Sequence, residues 1–463
     1  MRKMVCLALA LLLLAGCLAG CAAKTATESA AASTAASAAT SASASAAKSS
    51  ETAASSTAAG SAAASASGSV NTELSGEVHY SFWGDSGSAF NDAMVVEFNK
   101  IYPNVKVYIE PCTNDEYWTK LEAAATGGSA ADVFRMNGPN IVKYVNAGII
   151  EPLDSYIEKD NVDLANYPSA MINLYNVNGK QYGIPVDYDT IGVWYNKTLF
   201  DAAGVEYPKD GWTWDEFVET AKKLTKADGS VYGVNADPNS QCGYYNTILE
   251  SGGYIISDDK KTSGYDTDGA AKGIQVWLDL IDQGLSPDLA SFAETKADAQ
   301  FYSGRLAMYF GGSWKLGYIN KSDLADQIDV ASLPSIDGNL TSVIHGCANV
   351  LNAKSQNKEA AWEWLKFLTG KEAQYALAES GTIIPCYKGA ADIWVNSSPD
   401  KNLSVFLDEA ENHSEPYPVS ANTSAWNDLE TTYMTKIWNR EVTVKDGLSE
   451  LAQKMNACLA EEP

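Results

Sequence analysis

An α/β fold divided into two lobes is the fold class that this sequence predicts, and two observations support it. The folded part begins as a strand, a helix and a second strand, and such a unit builds a parallel sheet covered by helices. The folded part also spans residues 76–463, whereas single hydrophobic cores stop growing at about 250–300 residues.

Hydrophobic periodicity defines the first three elements. Val78, Tyr80 and Phe82 alternate with polar residues, which is typical of a strand with one buried face. The apolar residues that follow first recur at helical spacing and then alternate again: Phe90, Met94 and Phe98, then Val105, Val107 and Ile109.

Local signals predict several later elements. Thr213 and Glu216 form a capping box for a helix that continues to Leu224. The remaining patterns predict a short strand at 132–136, a helix from Ile141 to Gly148, a tight turn at Asp228–Gly229 and a helix from Glu359 to Thr369.

The N-terminus carries the features of an export signal. Two basic residues precede an apolar run, 4–15, that is shorter than the roughly 20 residues of a membrane-spanning helix. The sequence Leu-Ala-Gly-Cys occurs twice, ending at Cys17 and at Cys21, and it fits the pattern of bacterial lipoprotein signals. We therefore predict a lipoprotein signal peptide over 1–20 and a diacylglycerol on Cys21, with Cys17 as the alternative site.

The next segment, 21–75, consists almost entirely of Ala, Ser and Thr without apolar periodicity. It predicts a disordered tether, which as a flexible coil would span roughly 40 Å. The whole chain carries a net charge of −25. An acidic surface of this kind argues against nucleic acid as a partner and against adhesion to anionic lipid through the protein itself.

The sequence offers no signature of catalysis or of a metal site. It lacks Gly-x-Ser-x-Gly, His-Glu-x-x-His and P-loop motifs. Asp187 and Asp189 could open a calcium loop, but the twelfth position is Thr198 rather than glutamate. We therefore expect no catalytic residue, no bound metal and no cofactor.

The cysteines beyond the signal do not predict a disulfide framework or a zinc site, because they are odd in number and widely spaced. We expect them to be mostly buried as small apolar residues: Cys112, Cys242, Cys347, Cys386 and Cys458.

Aromatic residues give the clearest functional signal, since the chain has 12 Trp and 24 Tyr. Several stand beside small or acidic residues in segments that follow strands, where α/β sheets bind ligands. A sugar ring presents C–H faces that suit aromatic rings and hydroxyl edges that suit carboxylates. The predicted ligand-binding residues are Trp83, Asp85, Asp187, Tyr188 and Trp314. For Trp314 the competing interpretation is a buried core residue.

A set of motifs in a fixed order resembles family 1 extracellular solute-binding proteins of ABC importers. The motifs are Tyr182-Gly183-Ile184-Pro185, Val193-Trp194-Tyr195-Asn196-Lys197, Trp212 to Phe217, Gly304 to Met308, Gly312-Ser313-Trp314, Lys358 to Trp362, and Ile384-Pro385. The resemblance covers essentially all of residues 76–463. It departs from the family pattern at His345-Gly346-Cys347, where small residues are usual, and we favour packing over ligand contact for His345.

The resemblance implies a periplasmic-binding-protein-like fold whose two lobes are joined by a three-segment hinge. The first lobe would comprise 76–186 and 336–384, and the second 187–335 and 385–463. We expect the hinge segments near Pro185–Asp187, Leu333–Ser335 and Ile383–Pro385, because these prolines lie where the chain should change lobes.

The function implied is that of a sugar-binding lipoprotein without enzymatic activity. Its partners would be a small sugar, the permease subunits in the membrane, and the outer face of the cytoplasmic membrane through the N-terminal lipid, and the protein itself would be a monomer. Two alternatives stay open. One is a receptor for a cationic solute such as a polyamine, since Asp85, Asp187 and Asp189 near aromatic rings would suit an ammonium group. The other is a secreted glycoside-active enzyme.

Overall fold

A computed structural model describes residues 71–84 and 88–462 of the chain. The predicted signal peptide, most of the predicted tether and both candidate lipid sites, Cys17 and Cys21, lie outside the described residues. Asp85, one of the predicted ligand-binding residues, also lies outside them.

The strands of the described residues are β1 (Ser75–Trp83), β2 (Asn104–Cys112), β3 (Val133–Asn137), β4 (Asn176–Val177), β5 (Lys180–Gln181), β6 (Gly183–Asp189), β7 (Ile191–Asn196), β8 (Met308–Gly312), β9 (Ile328–Ala331), β10 (Ser342–Leu351), β11 (Ile384–Pro385) and β12 (Ser414–Pro416).

The α-helices are α1 (Ser88–Ile101), α2 (Asn114–Gly127), α3 (Gly138–Asn146), α4 (Asp154–Asp160), α5 (Ser169–Leu174), α6 (Lys197–Ala203), α7 (Trp214–Leu224), α8 (Tyr245–Glu250), α9 (Asp268–Asp282), α10 (Leu289–Glu294), α11 (Ala297–Tyr302), α12 (Leu316–Ile319), α13 (Lys358–Thr369), α14 (Lys371–Glu379), α15 (Ala390–Asn396), α16 (Ser404–Asn412), α17 (Thr423–Trp438) and α18 (Val444–Ala460). A π-helix at Ser240–Tyr244 precedes α8.

The predicted strand–helix–strand unit is confirmed as β1, α1 and β2. The two strands pair in parallel along their whole length, from Ser75 opposite Asn104 to Trp83 opposite Cys112. Because both strands end at the same level, the residues that follow them meet at one edge of the sheet. Trp83 and the start of α2 are therefore neighbours.

The large sheet is mixed rather than wholly parallel. Its strands follow the order β11-β6-β10-β3-β1-β2, with β12 beside β10. β1, β2 and β3 run parallel, whereas β10 is antiparallel to both β3 and β6. The sequence predicted the parallel part, because only there does a helix connect consecutive neighbouring strands.

A second sheet is formed by β8, β7 and β9, all antiparallel. β7 is its central strand and is buried along all its residues, which explains its nearly continuous apolar sequence. Trp194 of β7 is fully buried with Trp394 and Phe406 in one core, while Val193 and Tyr195 belong to another.

The chain passes between the two sheets near the predicted hinge segments, but the first passage follows Asp189, and Pro185–Asp187 lie within β6 of the large sheet. β6 ends in the large sheet at Asp189, Thr190 follows, and β7 begins in the small sheet at Ile191. The chain returns through 332–341, and after β11 it leads into α15, whose Trp394 packs with the small sheet. The lobe boundaries given above stay a prediction.

The local signals of the later elements are confirmed. Thr213 and Glu216 form a complete capping box at the start of α7, and the Glu216 carboxylate accepts a hydrogen bond from the Thr213 backbone N–H at 2.8 Å. Gly229 lies in the left-handed region at φ 71° inside the predicted turn. The helix predicted at Glu359–Thr369 is α13, and its buried face includes Ala361, Trp364, Leu365 and Leu368.

Candidate functional site

The first lobe contributes an aromatic group at the carboxyl ends of β1 and β2. Trp83 packs edge to face against Tyr117, with ring centroids 4.9 Å apart, and lies 5.4 Å from the ring of Trp118. Tyr117 is buried, and its hydroxyl donates a hydrogen bond to the Arg135 carbonyl oxygen at 2.6 Å. Trp83 and Trp118 stay partly exposed and present aromatic surface at this edge of the sheet.

A buried ion pair lies beneath this group. The Arg135 guanidinium carbon lies 4.8 Å from the ring centroid of Trp83, and the guanidinium pairs with the Asp187 carboxylate. Burial raises the pKa of the Asp187 carboxyl, and the charge of Arg135 and the Cys347 backbone N–H oppose that rise. Burial by itself would lower the pKa of Arg135, but Asp187, Cys347 and Tyr80 together raise that pKa above its usual value, so the guanidinium stays charged.

The structure does not leave Asp187 available in the way that the sequence predicted. Its side chain is 4% exposed, one oxygen faces Arg135, and the other accepts the Cys347 backbone N–H at 2.9 Å. A carboxylate that is buried and paired in this way fixes its neighbours rather than accepting hydrogen bonds from a solute. A direct ligand contact for Asp187 stays a prediction, whereas its contacts within the protein support the position of Arg135.

Tyr188 is partly buried where the chain changes from one sheet to the other. Its side chain packs against the core of the large sheet and against the core that contains Trp194. Burial raises the pKa of its hydroxyl above the usual value. Tyr188 therefore joins the two cores at the change of sheet, and its contact with a solute stays a prediction.

The floor between the lobes is polar. Asp189 accepts a hydrogen bond from the Gln241 side chain at 2.6 Å, and its second oxygen lies 3.9 Å from Nδ1 of His345. His345 is 6% exposed, and its Nε2 accepts the backbone N–H of Gly138 at 3.3 Å. This burial agrees with the interpretation of His345 as a packing residue.

Trp314 stands at the corresponding edge of the small sheet. It follows β8 directly, and its ring lies across the backbone of Gly312, where an added β-carbon would come within 1.8 Å of the ring. The space beside the Gly312 backbone is therefore occupied by the Trp314 ring. Trp314 packs partly on the second-lobe core and keeps part of its surface exposed.

A partly buried ion pair flanks Trp314. Lys315 Nζ lies 2.9 Å from the Asp298 carboxylate, and its ammonium lies 5.5 Å from the Tyr309 ring centroid and 5.9 Å from that of Tyr318. Burial would raise the pKa of Asp298, but the charge of Lys315 holds it below its usual value. Asp298 is therefore ionised and neutralised by its own partner.

The two aromatic edges face each other across a narrow gap. A β-carbon built on Gly84, which follows Trp83, would lie 3.9 Å from the Tyr318 hydroxyl. Asp115 at the start of α2 pairs with Lys296 just before α11 at 2.5 Å. We call the space bounded by Trp83, Trp118, Trp314, Tyr318 and the Asp189 floor the interlobe cleft.

Two half-open pockets lie elsewhere, and neither is lined by Trp83 or Trp314. One, of about 240 Å³, is bounded by Tyr244, Tyr417 and Glu430. The other, of about 410 Å³, lies between α3 and the segment 419–421. One of these volumes lies below the range of about 300–1,000 Å³ that is usual for small-molecule sites, and the other lies near its lower end.

Several residues of the cleft were not predicted from the sequence. Trp118 could have been found, because it lies in α2 just after β2, Trp83 ends β1, and the two strands are parallel. Arg135, Gln241 and Lys315 gave no signal, since each acquires its place through a partner that is far away in the chain.

Comparison with known proteins decides the family. The model of the bacterial extracellular solute-binding protein family matches residues 83–375. The chain belongs to this family. Among the described residues of this solute-binding protein, every helix is too short or too polar to cross a membrane.

Two relatives whose names state the sugars they bind support the family assignment. The arabinooligosaccharide-binding protein of Bacillus subtilis is 28% identical over 64% of this chain and 70% of its own length. The galactooligosaccharide-binding protein of the same organism is 26% identical over 76% of this chain and 83% of its own length.

A solved structure confirms the fold. An ABC substrate-binding protein of Listeria monocytogenes, solved in complex with cycloalternan, superposes with a TM-score of 0.78 and 24% identity over 83% of this chain and 99% of that one. The predicted fold class, a periplasmic-binding-protein-like α/β fold of two lobes, is therefore confirmed.

Proposed function

We propose that this solute-binding protein captures a mono- or oligosaccharide in the interlobe cleft and delivers it to the membrane subunits of an ABC importer. The observation that carries the proposal is the presence of partly exposed indole rings on both edges of the cleft, Trp83 and Trp118 on one and Trp314 on the other. Relatives that bind arabino- and galactooligosaccharides are consistent with it.

The chemistry of the cleft suits a neutral polyhydroxylated solute. Aromatic faces bind the C–H surface of a sugar ring by burial of apolar area and dispersion. Asp189 and Gln241 at the floor offer acceptor and donor groups that match hydroxyl groups. We assign Trp314 and Trp83 to stacking and Asp189 to hydrogen bonding.

Two of the carboxylates near the cleft already have a cation as partner, which argues against a cationic solute. Asp187 is paired with Arg135, and Asp298 is paired with Lys315. A polyamine would have to compete with these internal cations, whereas a neutral sugar meets no such competition. The polyamine receptor therefore ranks second.

Thermal denaturation with a panel of solutes tests the proposal. The panel contains maltotriose, arabinotriose, galactobiose, tagatose, putrescine and spermidine. A specific solute at roughly 100 times its Kd adds about 2.7 kcal/mol to the stability of the folded state. We expect a rise in Tm with a sugar and none with a polyamine. A rise with polyamines alone would refute the saccharide assignment, and release of shorter sugars from an oligosaccharide would identify an enzyme.

Anchoring is proposed separately from sugar binding. We infer a diacylglycerol on Cys21, or on Cys17, that holds the protein on the outer face of the cytoplasmic membrane, since both cysteines complete a Leu-Ala-Gly-Cys sequence. Mass spectrometry of the mature N-terminus tests this, because an unmodified terminus at another residue contradicts it.

Closure of the lobes is the motion that delivery requires. We propose that 76–186 with 336–384 moves as one lobe against 187–335 with 385–463, with bending at the residues beside the prolines. Small-angle scattering of the monomer should give a smaller radius of gyration with saturating sugar. An unchanged radius would contradict a closing cleft.

A further inference from the structure

The strongest unassigned feature is the chain of contacts from the change of sheet to the aromatic edge of the first lobe. Arg135 lies on β3, between β1, which ends in Trp83, and β10. Its side chain reaches past β10 to Asp187 on β6, the strand that leads into the second lobe. Three strands are thus linked through one guanidinium.

We propose that Arg135 is a positioning residue for Trp83, itself held by Asp187, and that it keeps the Trp83 ring in the orientation that receives a sugar. This rests on the proposed function, because it concerns the same cleft. The guanidinium covers one face of the ring at 4.8 Å, and Tyr117 packs on it edge-on. The indole is thereby held without filling the cleft.

The guanidinium itself has little freedom to move. Its side chain is 16% exposed, and that of Asp187 is 4% exposed. The Asp187 carboxylate is fixed in turn by the Cys347 backbone N–H of β10. Within the described residues Arg135 Nε has no hydrogen-bond partner. The guanidinium is held by the Asp187 carboxylate, by a hydrogen bond with the Cys347 thiol and by the contact with the Trp83 ring. A planar guanidinium fits the carboxylate and the ring at once, which an ammonium does not.

The test removes the pair together, since an unpaired buried charge would disturb the fold. Arg135→Met with Asp187→Asn is combined with Trp83→Ala in a double-mutant cycle, and maltotriose, or the panel sugar that gives the largest Tm shift, is titrated calorimetrically. We expect Kd to rise about tenfold in the Trp83 background. In the Trp83→Ala background the same double change should leave Kd unaltered, because no ring remains to be positioned.

A matched control separates positioning from general loosening of the lobe. Lys366 and Asp160 form a comparable part-buried pair of the first lobe, so Lys366→Met with Asp160→Asn should lower Tm and leave Kd unchanged. Arg135→Lys keeps the charge and should restore Tm but not the full affinity. If the protein with Arg135→Met and Asp187→Asn fails to fold, the affinity of Arg135→Lys tests the inference in its place.

Two results would overturn the inference while the proposed function stands: an unchanged Kd in the neutral variant, or an equal loss of affinity with and without Trp83. Failure of the wild-type protein to bind any panel sugar would instead overturn the proposed function. The two failures are therefore distinguishable.

Discussion

Two buried carboxyl groups hold the connection that returns from the small sheet to the large one. Glu409 on α16 accepts the Leu333 backbone N–H at 3.1 Å, and Glu250 on α8 accepts the Thr341 backbone N–H at 3.1 Å. Each is 1% exposed. Burial raises the pKa of Glu250 to about 9 and that of Glu409 to about 8, with the hydrogen bond in each case opposing the rise.

The consequence is a stability that falls with rising pH. In the unfolded chain each carboxyl loses its proton near its ordinary pKa of 4.5, whereas in the folded state it keeps the proton to about pH 8 or 9. The contribution to stability is therefore fully present below pH 4.5 and is lost as pH rises towards the folded pKa. Across this interval each group lowers the free energy of unfolding by about 1.4 kcal/mol per pH unit.

The size of the change in stability follows from the pH interval between the unfolded and the folded pKa. Between about pH 5.5 and pH 7.5 the proton is held in one state and released in the other, so each group accounts for about 3 kcal/mol over that range. Glu250→Gln or Glu409→Gln removes the ionisable group and should flatten the dependence by that amount. Glutamine also keeps an oxygen for the backbone N–H.

Urea denaturation of the unliganded protein at three pH values measures this, with the free energy of unfolding obtained by linear extrapolation. Glu294→Gln, on an exposed side chain, serves as the control and should run parallel to the wild type. If the free energies of unfolding of Glu250→Gln and Glu409→Gln change with pH as much as that of the wild type, these carboxyls are ionised in the folded protein and the reasoning is refuted.

Three further substitutions test the cleft and the fold. Trp314→Ala should weaken sugar binding by about 10- to 100-fold. Calorimetric melting of the unliganded variant should show a smaller loss of stability than the roughly 3–5 kcal/mol that removal of a core tryptophan costs. Intact affinity, or a loss of stability of about 3–5 kcal/mol, would identify Trp314 as a core residue. Thr213→Ala removes the N-cap of α7 and should lower the free energy of unfolding measured in urea by about 1 kcal/mol. An unchanged urea midpoint would show that the cap does not stabilise the protein. Gly273→Ala would bring a β-carbon within 2.5 Å of the Ile248 backbone and should cost about 1–3 kcal/mol. Gly127→Ala is its control, because the β-carbon added there would lie 3.8 Å from Ser129 Oγ, an ordinary contact distance.

Elements whose signals are local could be predicted from the sequence. β1, α1 and β2 follow from periodicity, and the start of α7 follows from the capping box, because both depend on residues a few positions apart. The antiparallel placement of β10 between β3 and β6 could not be predicted, since it depends on pairing between strands separated by more than a hundred residues.

In the candidate site, too, some residues could be predicted from local sequence and others could not. Trp83 and Trp314 were predicted from their neighbours in sequence, and both lie at sheet edges beside the cleft. Their supports, Arg135 and Lys315, depend on partners in other strands and helices. Sequence pattern finds the residues that present a surface, whereas the residues that orient it are defined only by contact.

The acidic residues show why composition could not single out the groups that bind a solute. The chain has 58 acidic and 33 basic side chains, so many aspartates stand near aromatic residues by number alone. Contact separates them into different kinds: Asp187 is buried against Arg135, Asp298 is neutralised by Lys315, and Asp189 meets only a neutral amide and a histidine. A hydroxyl group competes poorly for a carboxylate that already has a cation. Asp189, whose recorded hydrogen bond comes from a neutral side chain, is therefore the acceptor best placed for a sugar, although Asp187 stands two residues away in the same strand.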